Sequence, residues 1–246
     1  MYRTLQPAHI VKTLEVLLRR IEERFPRSGL ANVCKDLVAV ARDTSARSVR
    51  IARPNIALKA AIWLAIASGL GLLFAVGLLI LTKTKTSDGL FDTLQGIDSG
   101  FNIVVLTGAT LFFVWSLDAR LKQRLALRAL HEFRSIVHVI DMHQLTKDPS
   151  MLGAVHTSSS PDRVLTPFEL IRYLDYCSEM LSVIAKLAAL YAQELSDPVV
   201  VDTVGDIERL TSDLSSKIWQ KITIVQGLEA RDMPLPQARE FFRPNA

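Results

Sequence analysis

Hydrophobic residues are concentrated in two stretches of the chain that carry no charged side chain. Residues 60–81 form the first stretch and residues 101–117 the second. The 22 residues of the first stretch make a helix of about 33 Å, enough to cross a hydrocarbon core of about 30 Å. The second is shorter, but it follows after only 19 residues, and an apolar stripe beginning at Leu90 extends it backwards. The pattern predicts two transmembrane spans that form a hairpin over residues 57–118, joined by a loop at 82–100.

Positively charged residues lie mainly on the outer flanks of this hairpin. They are Arg42, Arg47, Arg50, Arg53 and Lys59 before the first span, and Arg120, Lys122, Arg124 and Arg128 after the second. The connecting loop instead holds two lysines and three aspartates. Cytoplasmic flanks of membrane spans are enriched in lysine and arginine. We therefore expect a multi-pass protein of the inner (plasma) membrane with both termini cytoplasmic, the loop outside, and the lipid bilayer as its first partner.

Small residues recur at four-residue spacing in the first span. One row contains Ala57, Ala61, Ala65 and Gly69, and a second contains Ala67, Gly71 and Ala75. Such rows allow helix backbones to approach closely in a membrane. We expect Ala61, Ala65, Gly69, Gly71 and Ala75 to pack against a helix, either within the hairpin or in a second copy of the chain.

Amphipathic patterns before and after the hairpin predict cytoplasmic helices. Apolar residues recur at helical spacing from Ile10 to Phe25 and again from Leu30. The second span continues without proline to residue 146, which predicts one long helix that reaches into the cytoplasm. Thr166, Pro167 and Glu169 have the spacing of a helix start with a capping box. A heptad pattern follows and predicts a coiled-coil seam, formed by Leu170, Leu174, Cys177, Leu181, Ile184, Ala188, Tyr191 and Leu195.

These patterns predict an all-α protein in which a two-helix transmembrane hairpin carries a cytoplasmic helical bundle. The bundle contains an antiparallel coiled-coil-like hairpin, because Asp197 and Pro198 end one helix and begin a second with the same spacing. The predicted regions are N-terminal amphipathic helices at 1–56, the membrane hairpin at 57–118, the bundle at 119–226 and a flexible tail at 227–246.

Composition agrees with a membrane protein and excludes a disulfide scaffold. The mean hydropathy is +0.24 and the sequence pI is about 9.2, and two apolar spans on an ordinary polar chain account for a positive mean. The two cysteines, Cys34 and Cys177, lie within apolar helical patterns, so we expect reduced, buried thiols. The first apolar stretch begins too far into the chain to be the core of a signal peptide.

Few residues are candidates for chemistry. His131, His138 and Asp141 share a helix, and His138 and Asp141 have the spacing of a ligand pair that needs further ligands from elsewhere. Structural contacts are the favoured interpretation, with a metal site or catalysis as alternatives. Tyr173, Asp175, Tyr176 and Glu179 are interpreted as a solvated helix face with aromatic edges. The segment 217–221 is a candidate for docking to a membrane or a protein; lacking a stacking series, it does not predict nucleic-acid binding. We expect no cofactor.

Two segments resemble recurring pieces of uncharacterised bacterial inner-membrane proteins with two transmembrane helices and a helical cytoplasmic domain. They are RSIVHVIDMHQLTKDP at 134–149 and the segment that runs from YLDYC at 173–177 through KIWQK at 217–221. This resemblance implies no activity and no catalytic residues. The overall plan is also similar to that of membrane effectors of bacterial phage-defence systems.

Three functions are compatible with these features. The favoured one is a non-enzymatic scaffold or interaction module on the cytoplasmic face, which forms homo-oligomers through the heptad helices and the small-residue rows and binds a cytoplasmic protein. The second is a membrane-permeabilising effector or channel gated by the bundle. The third is a metal-dependent enzyme that uses His138 and Asp141.

Overall fold

A computed structural model describes residues 4–52, 56–83, 90–149 and 165–232. Within these ranges the chain contains α-helices and no strands, which confirms the all-α class. The six helices are α1 (Pro7–Arg24), α2 (Gly29–Ala52), α3 (Ile56–Lys83), α4 (Leu90–Leu145), α5 (Pro167–Glu194) and α6 (Pro198–Asp232).

Side-chain caps recognisable in the sequence determine where α5 and α6 begin. The Thr166 hydroxyl accepts a hydrogen bond from the Glu169 backbone N–H, and the Glu169 carboxylate accepts one from the Thr166 N–H, so the predicted capping box at the start of α5 is confirmed. The Asp197 carboxylate accepts hydrogen bonds from the backbone N–H groups of Val199 and Val200 and caps α6. Both caps satisfy N–H groups that the first helical turn leaves without a partner.

α4 is the longest helix, with 56 residues. It begins at Leu90, where the apolar stripe begins, and continues without interruption to Leu145. The prediction that the second span continues as one helix to about residue 146 is confirmed. The predicted bounds of the loop at 82–100 are wrong, because residues 90–100 belong to α4 and α3 reaches Lys83. Its length reflects the sequence, because no proline interrupts it and its internal glycines cost only about 1 kcal/mol each.

The chain divides into two compact units. The first contains Met1–Val49 and Leu127–Ala246, and the second contains Arg50–Ala126. The first unit is a bundle in which α1, α2, α5 and α6 pack with the C-terminal part of α4. Two contacts fix the direction of α1 against α5: the Leu5 N–H donates to Gln193 Oε1, and Arg20 pairs with Glu179. α1 and α5 are therefore antiparallel.

α5 is the central helix of the bundle. The seam residues Leu170, Leu174, Cys177, Leu181, Ile184, Ala188 and Tyr191 are all buried, and Leu195 is half-buried. A second buried stripe runs beside the seam and comprises Tyr173, Tyr176, Met180, Val183, Leu187 and Leu190. Two adjacent stripes cover more than half of the circumference of a helix. α5 therefore packs against several helices of its own chain.

Within the second unit, α3 and α4 approach each other closely at one point. A β-carbon placed on Gly69 would lie 3.0 Å from Thr107 Cγ2, so the absence of a side chain allows this approach. The predicted tail begins after Gln226, whereas α6 continues to Asp232. The rest of that tail, at 233–246, and residues 84–89 of the predicted loop lie outside the described residues.

Candidate interaction surfaces

Large apolar side chains project outwards along both helices of the second unit. On α3, Trp63, Leu64 and Phe74 are 70%, 73% and 74% exposed, and on α4 Leu106 and Phe112 are each 68% exposed. Soluble proteins rarely expose a continuous apolar area of this kind to water. The surface is therefore suited to an apolar environment.

One helix among the described residues is long and apolar enough to cross a membrane. It is the part of α4 from Asp98 onwards, and none of its most apolar stretch is buried within the chain. Ala60–Leu72 of α3 is a shorter apolar stretch.

The two rows of small residues on α3 have different surroundings. Gly69 faces Thr107 of α4, and Ala65 in the same row is half-buried while Ala61 is exposed. In the second row Ala67, Gly71 and Ala75 are exposed, and no described atom lies within 4 Å of a β-carbon placed on Gly71. The first row thus supports packing within the chain, and the second is uncovered.

A polar network joins α4 to α6 inside the first unit. The Lys221 ammonium group donates hydrogen bonds to the Gln144 backbone carbonyl at 2.9 Å and to Gln144 Oε1 at 2.6 Å. The Gln144 amide in turn donates to the Asp141 carboxylate at 2.6 Å. Gln144 is buried and Lys221 half-buried. Burial lowers the pKa of Lys221, and the nearby carboxylates of Asp148 and Asp141 oppose this change.

This network changes the interpretation of two predicted groups. Asp141 is engaged by Gln144, whereas His131 and His138 are exposed on the outer side of α4. Within the described parts of the chain no three His, Cys, Asp or Glu side chains are grouped so as to hold a metal ion. Lys221 belongs to the segment predicted to dock to a membrane or a protein, but its side chain contacts Gln144 inside the bundle. Trp219 in the same segment is 58% exposed and remains available.

The interpretation of Tyr173 and Tyr176 as edges of a solvated face is wrong, because both rings are buried. Each packs edge-on against Phe25 of the α1 end, with ring centroids 5.5 Å and 6.2 Å apart. The guanidinium groups of Arg20 and Arg172 lie over the Tyr176 ring. Sequence periodicity contained the signal, since both tyrosines belong to the second buried stripe of α5.

Both cysteines are buried free thiols. Burial raises the pKa of Cys34 and of Cys177 to about 12 in each case. Because the thiolate is the reactive form of cysteine, these side chains act as core residues rather than nucleophiles.

An open groove of about 940 Å³ runs along the bundle. α1 forms one wall, the exposed side of α5 forms the floor, and Trp219 of α6 stands at the opposite edge. Ile10, Leu17 and Val183 supply apolar surface, while Lys12 and Lys186 add positive charge. Concave surfaces of this size with mixed linings are typical of binding sites.

Comparison of the chain with protein families, with characterised proteins and with solved structures found no match. Function must therefore be inferred from these surfaces.

Proposed function

We propose that this chain is a multi-pass membrane protein that self-associates in the bilayer and presents its helical bundle as an interaction module on the cytoplasmic face. The outward-facing apolar side chains of α3 and α4 carry the proposal. Side chains such as Leu64 and Leu106, each more than two-thirds exposed, gain about 1.5–3 kcal/mol apiece when transferred from water to an apolar environment. A bilayer supplies that environment along both helices.

The lengths of the helices and the positions of the charged residues support two spans with both termini in the cytoplasm. α3 has 28 residues, or about 42 Å at standard rise, and its partner is the part of α4 before the arginines at 120, 124 and 128. Arginine and lysine precede the first span and follow the second in sequence, which favours the cytoplasm for both termini. Each of these side chains would gain about 1 kcal/mol of binding free energy from anionic lipid headgroups.

Self-association is assigned to the second small-residue row of α3 rather than to the heptad seam. The seam is covered by other helices of the same chain and has no surface left for a second copy. Ala67, Gly71 and Ala75 are uncovered and lie on one face, so the backbones of two α3 helices can approach there.

Cysteine accessibility in sealed inverted and right-side-out vesicles tests the membrane role. Ser135→Cys in the exposed part of α4 should react with a membrane-impermeant maleimide from the cytoplasmic side only, and Ser87→Cys from the opposite side only. Alkaline carbonate should leave the protein in the membrane pellet. Extraction into the supernatant, or labelling of both positions from the same side, would contradict the proposal.

Induced expression separates an interaction module from a permeabilising effector. Harmless accumulation with an unchanged membrane potential supports the module. Rapid loss of membrane potential upon expression would instead identify the spans as a pore.

A further inference from the structure

Two lysines lie at the same end of the groove along α5. Lys12 is eight residues before Arg20 on α1, and Lys186 is seven residues after Glu179 on α5. Arg20 and Glu179 form an ion pair between these two antiparallel helices. Both lysines are therefore displaced from that ion pair in the same direction, by about 11–12 Å along the groove. One contributes to the wall and the other to the floor.

The carboxylates that line the groove are already engaged by arginines. Glu179 pairs with Arg20 at 3.1 Å, and Asp175 pairs with Arg172 at 3.0 Å. The two lysines are exposed, and neither forms an ion pair with a carboxylate in the part of the chain that the structure describes. The groove therefore has a positively charged end and an end where the charges compensate each other.

Exposed apolar side chains mark the charge-compensated end. Trp219 and Asp175 each lie 22 residues from Asp197, which lies between α5 and α6, and both line the groove. Trp219 is 58% exposed and Val16, on the wall formed by α1, is 39% exposed. An exposed tryptophan at the edge of an apolar groove is a typical anchor for an aromatic or aliphatic side chain. From Asp175 to Lys186 the floor is about 17 Å long, or three helical turns.

We propose that this groove binds an acidic amphipathic helix of a cytoplasmic protein, with an apolar anchor against Trp219 and carboxylates beside Lys12 and Lys186. The inference rests on the proposed function, since it assigns a partner class to the interaction module. Apolar grooves between helices bind amphipathic helices through anchors at helical spacing. Here the anchor and the carboxylates are two to three turns apart. A basic helix would bring like charges together at the lysines, so charge complementarity selects the partner.

Two synthetic peptides test the charge preference with the full-length protein in detergent. Each is a fluorescein-labelled helix of alanine and leucine, about four turns long, with one phenylalanine as anchor. The acidic peptide carries two glutamates two to three turns from the phenylalanine, and the basic peptide carries two lysines there. The acidic peptide should bind at least tenfold more tightly, as measured by fluorescence anisotropy relative to empty micelles. Equal binding of the two peptides, or no binding of the acidic one, would overturn the proposal.

Charge reversal in the groove should reverse this preference. The variant Lys12→Glu/Lys186→Glu should bind the basic peptide more tightly than the acidic one. Lys35→Glu/Lys217→Glu is the matched control, because it changes the net charge equally at exposed positions on α2 and α6 that do not line the groove. It should keep the preference for the acidic peptide. A reversal in the control as large as in the groove variant would refute the assignment to the two lysines.

Changes of size in the groove test the position of the helix. Trp219→Ala removes the anchor site, and Thr13→Trp places a large ring between the walls, so each should weaken binding of the acidic peptide at least fivefold. Ser135→Trp on the exposed side of α4 is the control and should bind as the wild type does. Unchanged binding in both groove variants would contradict the proposal, and so would a loss of crosslinking between copies in Thr13→Trp alone, which would make a second copy the occupant. The peptide measurements do not require a bilayer, so they can fail independently of the vesicle labelling.

Discussion

Lys221 on α6 and Gln144 on α4 are joined by two hydrogen bonds although 77 positions separate them in sequence. The ammonium group binds the carbonyl of Gln144 in the last turn of α4, where backbone carbonyls lack helical partners and a positive charge is favourable. Because the Gln144 amide also binds Asp141, both ends of this buried side chain are satisfied. The contact fixes the end of α4 to α6.

Replacing Lys221 by methionine should destabilise the bundle. The change leaves the buried Gln144 oxygen without its donor, which costs about 1–3 kcal/mol of unfolding free energy. Lys217→Met is the matched control, since Lys217 is exposed on the same helix and its loss should change the free energy by less than about 0.5 kcal/mol. Urea unfolding of the detergent-solubilised protein measures both. Equal effects of the two substitutions would show that the contact contributes nothing.

The buried thiols predict a loss of stability in alkali. The ordinary cysteine pKa of 9.0 is raised to about 12 in the folded state for both Cys34 and Cys177. Between these values the unfolded chain has lost the protons that the folded chain keeps, so the unfolding free energy falls as pH rises from about 9 towards 12. Below pH 9 both states are protonated and the contribution is constant.

Thermal unfolding at pH 7.5 and pH 10 tests this for the wild-type protein and for Cys34→Ala/Cys177→Ala. The wild type should lose more of its midpoint temperature between the two values than the double variant, which lacks both titrating groups. The double variant provides the control for lysine and tyrosine titration common to both proteins. Parallel losses would disprove the assignment of the effect to the thiols.

Gly69 and Gly71 form a matched pair on α3. Gly69→Leu should disturb the packing of α3 against α4, because its β-carbon alone would lie 3.0 Å from Thr107 Cγ2. The melting temperature of the Gly69→Leu variant in detergent should fall. No described atom lies within 4 Å of a β-carbon placed on Gly71. Gly71→Leu should therefore leave the melting temperature unchanged, but it should reduce chemical crosslinking between two copies of the chain. If Gly71→Leu leaves crosslinking intact, self-association uses another surface.

Gly29 and Gly205 form a second pair, within the bundle. A β-carbon on Gly29 would overlap the imidazole ring of His143, so this half-buried ring must move in Gly29→Ala and the unfolding free energy should fall by about 1 kcal/mol. The double variant Gly29→Ala/His143→Ala should recover part of this loss. Gly205→Ala lies inside α6 with open space around it and should raise the free energy by up to about 1 kcal/mol. Lack of recovery in the double variant would argue against the His143 overlap.

Local sequence signals predict the helices and those of their ends that have a cap, whereas the start of α4 and the end of α6 differ from the prediction. The capping box at Thr166, the cap at Asp197 and the continuity of α4 each depend on residues within a few positions of one another. The seam of α5 was also visible as a repeat. The second stripe beside it, from Tyr173 to Leu190, does not follow from the heptad repeat, because that repeat describes only one buried face of the helix. Tertiary neighbours determine how many faces of a helix are buried.

The contacts that position the candidate surfaces could not be predicted in this way. Lys221 and Gln144 meet through the packing of two helices, and neither position has a local pattern that indicates the other. Gly69 and Thr107 also meet through the packing of two helices. The row of small residues indicates that Gly69 packs against a helix, but no local pattern indicates Thr107 as its partner. Lys221 was therefore interpreted as a surface residue, whereas the structure half-buries it.

The central place of α5 has a consequence for biosynthesis. α1 ends at Arg24 and α5 begins at Pro167, so more than a hundred residues are translated between them, which takes roughly 7–28 s at 5–20 residues per second. Over this time the apolar stripe of α1 lacks the helix that covers it in the finished bundle. The two apolar helices are synthesised in the same interval. α1 is therefore synthesised long before α5, the central helix of the bundle. The bundle can be completed only after α5 and α6 have been synthesised.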